Sequence, residues 1–377
     1  MQYFRLHAPH GGIRRGILKT PHGNIHTPFF MPIATRGAVR NISPDELRNL
    51  GAEIILSNTY HLIQRPGLAV LEKHGGLHRF MRWDGPLLTD SGGYQVFSLA
   101  KRRKITPDGV TFQSEIDGSS IKLTPESVID AQLTIGSDII MVLDECPPHP
   151  CSYEYAEQSL ATTLRWAERS KKHFEKRMKQ KRVSPTRRPL LFGIVQGGVY
   201  KKLRDQSVRA LTALDFDGYA IGGLAVGEPR SIRNKVVSWN TALLPSDKPR
   251  YLMGVGKPED IVDAVQRGVD MFDCVIPTRE ARHGRTYVWT KRKITSGNSW
   301  YSIVNVRNEK YKFDTKPLDA KCPCFTCKSY SKSYLRHLFS VQEVLGLRLT
   351  SDHNLAFYLT MMRELQRKKT PRSTEAP

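Results

Sequence analysis

Short apolar runs alternate with amphipathic segments of helical length from Phe29 onward. We count eight such runs, at residues 29–33, 54–58, 86–90, 139–144, 191–196, 218–222, 251–255 and 271–275. A continuous apolar run of this length, ended by a polar residue or a glycine, is typical of a strand buried on both faces of a parallel sheet. Eight strand and helix repeats over about 250 residues predict an α/β protein with a TIM barrel, and an open doubly wound sheet is the alternative.

Helix starts lie between the apolar runs. Ser43 and Glu46 have the spacing of a capping box, and Pro44 fits the first helical position. The segment Thr124-Pro125-Glu126 repeats this arrangement before another amphipathic stretch. These caps support the alternation of strands and helices that the apolar runs indicate.

Three regions fall outside the alternation. The first 28 residues predict a small β cap, and residues 97–123 predict a hairpin inserted after the third strand, turning at Asp117-Gly118. The polar tail at residues 366–377 is predicted to be disordered. We therefore expect a barrel domain over residues 1–310 that includes the cap and the hairpin, followed by a smaller subdomain at residues 311–365.

The charge of the chain indicates the class of its partner. The sequence holds 58 Lys and Arg against 36 Asp and Glu, a formal net charge of +22. Such an excess favours nucleic acid, with anionic lipid as the alternative. No apolar run approaches the roughly 20 residues of a membrane span, and the N-terminus lacks a signal-peptide core, so we expect a soluble cytoplasmic protein without a membrane partner. The basic segment at residues 165–188 is either a solvated helix or part of an RNA-binding surface.

Polar residues and glycines end or follow the predicted strands. In a TIM barrel the carboxyl ends of the strands meet at the mouth that carries the active site. The residues expected there are Asp90, Ser91, Tyr94, Asp144, Glu145, Cys146, Gln196, Gly222, Gly223, Glu228, Met253, Gly254 and Asp273. Carboxylates and an amide can bind the edge of a flat polar heterocycle, while an aromatic ring and a thioether cover its faces. Two further carboxylates, Asp90 and Asp273, suit glycosidic chemistry with one nucleophile and one proton carrier, about 5 Å apart.

Six motifs together resemble a known family. They are TDSGGYQ, the DEC of residues 144–146, GIVQGG, IGGLAVGE, YLMGVG and DMFDCVIPTR. Together they are similar to the tRNA-guanine transglycosylases, in their bacterial single-chain form, over nearly the whole chain. The resemblance implies a TIM barrel that exchanges the wobble guanine of tRNAs with a GUN anticodon during queuosine biosynthesis. It also implies that Asp273 is the nucleophile of a covalent ribosyl enzyme and that Asp90 is the general acid and base.

The same resemblance implies how base and tRNA are bound. Asp144, Gln196 and the Gly223 backbone would bind the base, and the Leu224 carbonyl would bind its aminomethyl group. Tyr94 and Met253 would sandwich the ring, and Ser91 and Cys146 belong to the same pocket. Arg279 and Arg282 would read the anticodon loop, with Lys257 beside them; guanidinium groups suit base edges and phosphates.

A second group of residues indicates a metal site. Cys322, Cys324 and Cys327 lie within six residues and are followed by His337 and His353. Three thiolates and one imidazole complete a closed tetrahedral site, which is typical of structural zinc. Reduced thiols or a redox pair are the alternative, and spacing does not choose between the two histidines. The family resemblance assigns His353, and we expect one structural zinc ion.

Other members of the same family differ from the bacterial form. The archaeal form carries a further RNA-binding domain. The eukaryotic catalytic subunit, which uses queuine, has a glycine at the position of Val226. The larger valine favours 7-aminomethyl-7-deazaguanine, the prequeuosine base, over queuine. A non-catalytic tRNA-binding subunit would lack Asp90 or Asp273, and a sugar hydrolase would lack the base-binding set. The family's single-chain form is typically a homodimer, which we expect here.

Overall fold

Eight parallel strands form the centre of the protein. The computed structural model describes residues 2–7, 12–95, 103–291, 293–295 and 297–367. Its sixteen described strands are β1 Phe4–Leu6, β2 Gly16–Thr20, β3 Gly23–Thr27, β4 Phe29–Met31, β5 Ile55–Ser57, β6 Leu87–Thr89, β7 Arg103–Thr106, β8 Gly109–Gln113, β9 Ser120–Leu123, β10 Ile139–Met141, β11 Leu190–Val195, β12 Gly218–Ile221, β13 Arg250–Leu252, β14 Met271–Asp273, β15 Arg285–Trp289 and β16 Tyr301–Asn305. The central sheet has the order β4-β14-β13-β12-β11-β10-β6-β5, and all its pairs are parallel.

A bridge between the two ends of this sheet closes it. Ile33, just after β4, pairs in parallel with Leu56 of β5, so the first and last strands of the order are neighbours. The TIM barrel is therefore confirmed, and the open doubly wound sheet is excluded. Each of the eight apolar runs overlaps one barrel strand; β11 and β13 begin one residue before their runs, and every barrel strand except β11 is shorter than its run. In β11 every residue is buried, as expected for a strand covered on both faces.

Helices cover the barrel on the outside. Those described are α1 Pro44–Leu50, α2 Thr59–Gln64, α3 Leu68–Lys73, α4 Leu77–Met81, α5 Pro125–Ile135, α6 Tyr153–Gln180, α7 Lys201–Ala213, α8 Arg230–Leu243, α9 Pro258–Gln266, α10 Ile276–Arg282, α11 Phe325–Ser329, α12 Lys332–Ser340 and α13 Val344–Gln366. Both predicted helix starts are confirmed. Ser43 and Glu46 form a reciprocal capping box at α1. Thr124 forms one with Ser127 at α5. Each cap satisfies backbone N–H groups that have no partner within the helix.

The N-terminal cap is an antiparallel meander of β1, β2 and β3. Arg14 fastens this meander to the amino-terminal end of the barrel by an ion pair of 3.0 Å with buried Asp270. The Arg14 guanidinium also donates to the carbonyls of Ser246 and Lys248. The predicted β cap is therefore present and closes the end of the barrel opposite the mouth.

The insertion after β6 is a three-stranded antiparallel sheet of β7, β8 and β9. The predicted turn at Asp117-Gly118 joins β8 to β9, and Gly118 has a φ of 71°, which favours glycine. The sequence predicted one hairpin and missed the third strand, because β7 has an exposed and basic pattern rather than an alternating one. Residues 96–102, at the start of the insertion, lie outside the described residues.

The C-terminal helix α13 connects the last segment of the chain to the barrel. Asn354 donates to the carbonyls of Pro277 and Arg285, and the Tyr358 hydroxyl donates to that of Gly256 at 2.6 Å. The helix continues to Gln366, whose amide donates to the carbonyl of Pro28. The remainder of the predicted disordered tail, residues 368–377, lies outside the described residues. Every helix in the described part of the chain is too short or too polar to cross a bilayer.

Candidate active site

Asp273 is buried at the end of β14, at the mouth of the barrel. The Tyr251 hydroxyl donates to its Oδ1 at 2.5 Å and the Gly254 N–H donates to the same oxygen at 2.8 Å. Burial raises the pKa of the Asp273 carboxyl, and these two hydrogen bonds oppose the rise. The strand end therefore holds a carboxylate with one oxygen fixed by two donors.

Asp90 follows β6 and is buried beside the same mouth. Its Oδ1 accepts from the Thr59 N–H at 3.0 Å, and its Oδ2 accepts from the amides of Asn58 and Gln95. Burial raises the pKa of Asp90 to about 6, and the negative charge of Asp273 adds to the rise. The carboxyl thus exchanges its proton close to neutral pH, which is where a general acid and base is most effective.

Asp144 and Gln196 form a connected pair on neighbouring strand ends. Gln196 Nε2 donates to Asp144 Oδ2 at 2.7 Å, and Ser91 Oγ donates to Oδ1 at 3.3 Å. Burial raises the pKa of Asp144 to about 6. Gln196 Oε1 is buried and accepts no hydrogen bond from any described residue. The pair therefore presents a carboxylate and an amide to a polar ligand.

Two glycines allow this pair to sit closely against the backbone. A Cβ at Gly223 would lie 2.3 Å from Gln196 Oε1, and the φ of Gly223 is 64°. A Cβ at Gly93 would lie 2.7 Å from the Asp144 carbonyl oxygen. Both contacts are shorter than a side-chain carbon tolerates, so the Gly-Gly steps in TDSGGYQ and IGGLAVGE are required by the packing around Asp144 and Gln196.

A buried arginine beneath the pair was missed by the sequence analysis. The Arg204 guanidinium is fully buried and donates to the carbonyls of Val195, Gly198 and Gly222. Burial lowers the pKa of Arg204 to about 10, so the group remains charged at neutral pH. The sequence does contain a sign that Arg204 is buried, because position 204 lies on the buried stripe of α7 with Leu203 and Ser207.

The remaining predicted pocket residues surround this centre. Leu224 and Cys146 are buried, Met253 is half-buried and Tyr94 is 49% exposed. Burial raises the pKa of the Cys146 thiol to about 12, so the thiol is neutral. The pKa of the Tyr94 phenol is also raised, by burial first and then by the Cys146 and Cys274 sulfurs beside it. Tyr94 therefore lies near both Cys146, which follows β10, and Cys274, which follows β14.

Four predicted metal ligands meet in the C-terminal segment. The ligand atoms of Cys322, Cys324, Cys327 and His353 lie within 4.8 Å of one another. His353 Nδ1 lies 3.2 Å from the Cys327 sulfur and 3.7 Å from the Cys324 sulfur. These separations match the edge of a tetrahedron with metal bonds of about 2.0–2.3 Å. The buried group could hold a metal ion, and exposed His337 does not belong to it.

Comparisons with known proteins identify the family. A family model described as queuine tRNA-ribosyltransferase matches residues 10–368. The chain belongs to the queuine tRNA-ribosyltransferase family. It is 52% identical over 353 residues to the queuine tRNA-ribosyltransferase of Caldanaerobacter subterraneus subsp. tengcongensis, which covers 94% of this chain and 89% of the relative. It is 51% identical over 365 residues to that of Nitrosomonas eutropha, with 97% and 95% covered. The protein of the same name from Vibrio atlanticus is 50% identical over 363 residues, with 96% and 91% covered.

The mouth of this queuine tRNA-ribosyltransferase family member carries a group of arginines. Arg279 and Arg282 lie on α10, directly after the Asp273 strand. Burial lowers the pKa of Arg282, and the charges of Arg40 and Arg279 lower it further, so the three guanidinium groups are neighbours. No carboxylate pairs with any of the three in the described part of the chain. Lys257, at the start of α9, is exposed. Arg40 was not predicted, because it lies in an irregular segment without a motif.

Two further residues that position the carboxylates were missed. Asn58 ends the second apolar run, so it has the same position at a strand end as Asp90 and Asp144. A polar residue at this position is a sign of the site that the sequence contains. Tyr251 is part of the quoted motif YLMGVG, but its hydroxyl was not assigned a partner. Glu228 was expected at the mouth, and its carboxylate accepts from the N–H groups of Ala225 and Val226. It therefore fixes the loop that carries Val226.

Proposed function

We propose that this protein replaces the wobble guanine of tRNAs with a GUN anticodon by 7-aminomethyl-7-deazaguanine, the prequeuosine base. The observation that carries the proposal is the pair of buried carboxylates, Asp90 and Asp273, beside the connected Asp144 and Gln196. A glycosidic exchange needs a nucleophile, a proton carrier and a site for the base, and these are the three parts. The arginines at the mouth and the net charge of +22 suit an RNA substrate.

The first half of the reaction breaks the bond between ribose and guanine. Asp273 Oδ2, the oxygen that Tyr251 and Gly254 do not contact, attacks C1′ of the ribose. The bond from C1′ to guanine N9 breaks, its electron pair stays with the guanine, and protonated Asp90 supplies the proton. The product is an ester between Asp273 and the ribose of the tRNA, together with free guanine.

The second half inserts the new base. Ionised Asp90 takes the N9 proton of the incoming deazaguanine, N9 attacks C1′, and Asp273 leaves as a carboxylate. A carboxyl with a pKa of about 6 can give up and regain this proton near neutral pH. The same residue therefore serves both halves of the exchange.

The base is held by acceptors and donors of the pocket. Asp144 accepts from the N–H groups of the guanine edge, while the Gln196 amide and the Gly223 N–H donate to its carbonyl oxygen. The Leu224 carbonyl accepts from the aminomethyl group. Tyr94 and Met253 cover the two faces of the ring, and Ser91 and Cys146 line the pocket behind Asp144. Arg279, Arg282 and Lys257 bind the anticodon loop, and such a substrate implies that the protein acts in the cytoplasm.

Zinc fits the cysteine and histidine group of residues 322–353. His353 Nε2 lies 2.7 Å from the Tyr287 carbonyl oxygen, so the ring donates there and leaves Nδ1 for a metal. Three thiolates and this nitrogen make a closed site, in which zinc would stabilise the subdomain at residues 311–365 on the barrel. We also propose a homodimer, for which the exposed aromatic side chains of this subdomain, Phe313 and Phe325, offer an apolar surface.

Exchange of labelled guanine into tRNA tests the proposal. The native chain should incorporate label and form a tRNA adduct that survives denaturing electrophoresis. Asp273→Asn should do neither while unfolding at a similar temperature. Retained incorporation by this variant would remove Asp273 as the nucleophile. An inactive native chain would favour a non-catalytic tRNA-binding subunit, although the retention of both carboxylates speaks for catalysis.

The identity of the incoming base needs a separate experiment. Val226 is half-buried in the loop that Glu228 fixes, close to the proposed aminomethyl site. We expect the native chain to prefer 7-aminomethyl-7-deazaguanine over queuine in a direct competition. Val226→Gly should shift this preference toward queuine, and Val226→Ala should lie between the two. Preferential use of queuine by the native chain would refute the assignment.

A further inference from the structure

Most cations of the basic segment at residues 165–188 fall into two sets, and only Arg165 and Lys171 lie outside them. One set is held by carboxylates: Arg169 pairs with Glu126 at 2.8 Å, Arg177 with Asp130 at 2.8 Å and Arg188 with Asp217 at 2.7 Å. These pairs fasten α6 and the following loop to the barrel. Their structural role explains only part of the charge in this segment.

The second set is exposed. It comprises Lys172, Lys176, Lys179, Lys181, Arg182 and Arg187, and we call it the distal basic patch. No ion pair joins these six side chains to a carboxylate of the described residues. From residue 176 to residue 188 the sequence has seven Lys and Arg and no acid. Glu168 and Glu175 are exposed on the same helix, and Glu175 lies 3.5 Å from Lys171, so the patch is a surface with an excess of positive charge rather than a network of ion pairs.

The patch lies far from the mouth. Helix α6 begins at Tyr153, shortly after the Asp144 strand end, and its 28 residues extend about 40 Å. The loop after it leads into the amino-terminal end of β11. The Tyr3 hydroxyl of the N-terminal cap donates to the Pro185 carbonyl in this loop, and Arg188 lies 5.5 Å from the Tyr3 ring. The patch and the mouth are thus at opposite ends of the barrel.

We propose that the distal basic patch is a second, sequence-independent RNA-binding surface that contacts phosphates separately from the anticodon loop in the mouth. Lys172, Lys176 and Lys179 follow one another at helical spacing along one exposed face, so several can meet a single backbone. RNA fits better than a lipid surface, because a membrane-bound helix presents apolar side chains outward. Here the large apolar side chains of this half of α6, Phe174 and Met178, are buried.

The test uses an RNA that the mouth does not recognise. We would measure binding of a fluorescent RNA duplex without a GUN loop to the full chain over a range of salt concentrations. In the patch variant, Lys172, Lys176, Lys179 and Lys181 are all changed to Gln, which keeps a good helix former at each position. The control variant removes four exposed cations elsewhere, by Lys73→Gln, Lys202→Gln, Arg209→Gln and Lys235→Gln. The two variants have the same net charge.

The patch variant should bind the duplex at least about tenfold more weakly than the control variant, with a smaller salt dependence, because fewer counterions are released. Guanine exchange into an isolated anticodon stem-loop should be equal in both variants, so failure of this inference is distinguishable from failure of the proposed exchange reaction. Equal duplex binding by the two variants would overturn the proposal. Binding of the native chain to vesicles with anionic lipid, but not to the duplex, would also overturn it.

Discussion

The hydrogen bond from Tyr251 to Asp273 gives a sharp test of the nucleophile. Tyr251→Phe removes one hydroxyl from a fully buried side chain and leaves the ring in place. The change deletes the 2.5 Å bond to Oδ1 and keeps the 2.8 Å bond from Gly254. A hydrogen bond to a charged group is worth about 1.5–3 kcal/mol. Its loss should lower the ratio of ionised to protonated Asp273 by about tenfold to a hundredfold at a given pH.

The direction of the change in activity with pH depends on the ionisation of Asp273, because attack on the ribose requires its carboxylate form. Burial already raises the pKa of Asp273, and the Tyr251 bond opposes that rise, so the variant should have a still higher pKa. The proposed nucleophile is the ionised carboxylate, so activity in Tyr251→Phe should fall at low pH and approach the native value as pH increases. Guanine exchange should be measured from pH 5 to pH 9 at saturating tRNA, with the tRNA KM determined at each pH.

Tyr219→Phe is a matched control, because Tyr219 is also a buried tyrosine on a barrel strand and its hydroxyl does not contact Asp273. It should leave the pH profile unchanged. A uniform loss of rate at every pH in Tyr251→Phe would refute the reasoning, since it would indicate misplacement of the carboxylate rather than a change in its ionisation. An unchanged profile would show that this bond does not stabilise the anion.

Three further predictions concern other parts of the site. Asp90→Asn should remove a pH-dependent loss of stability of up to about 3 kcal/mol, because the native pKa of about 6 lies above the unfolded value near 4; the native chain should lose stability relative to the variant as pH rises from 4 to above 6, as measured by urea unfolding. Gly223→Ala should push Gln196 away from Asp144 and raise the guanine KM by about tenfold or more, which corresponds to the loss of at least one hydrogen bond; it should also lower the unfolding temperature, because a φ of 64° is strained for alanine. Cys327→Ser should lower the metal content measured by atomic absorption and increase the rate of amide hydrogen exchange in residues 311–365. His337→Ala should change neither quantity.

The barrel could be predicted from sequence because its strands are buried on both sides. Such strands appear as continuous apolar runs, and eight of them separated by helices leave few arrangements. The prediction failed for β7 at Arg103–Thr106, whose first three residues are exposed and whose last is half-buried, so the strand has no apolar periodicity. Its pairing with β8 depends on backbone hydrogen bonds, which no side-chain pattern reports.

The candidate site was predictable as far as it depends on strand ends. Asp90, Asp144, Gln196 and Asp273 are all brought to the mouth because parallel strands of a barrel end on the same face. Arg204 could not be found this way, since it reaches the site from a helix through three backbone carbonyls. Which side chain donates to which oxygen depends on packing in three dimensions, and the sequence contains no direct sign of it.

The three carboxylates at the mouth share a physical arrangement that explains their pKa values. Asp90, Asp144 and Asp273 accept hydrogen bonds from amides, hydroxyls and backbone N–H groups, and none of them forms an ion pair with a described residue. A cation beside a carboxylate would hold its pKa low and keep it ionised, which suits a structural role. Arg204, a buried cation on α7, donates to carbonyls instead. Neutral donors therefore fix the geometry of each carboxylate while burial raises its pKa, and at Asp90, where the pKa is raised to about 6, this combination suits a residue that exchanges a proton near neutral pH.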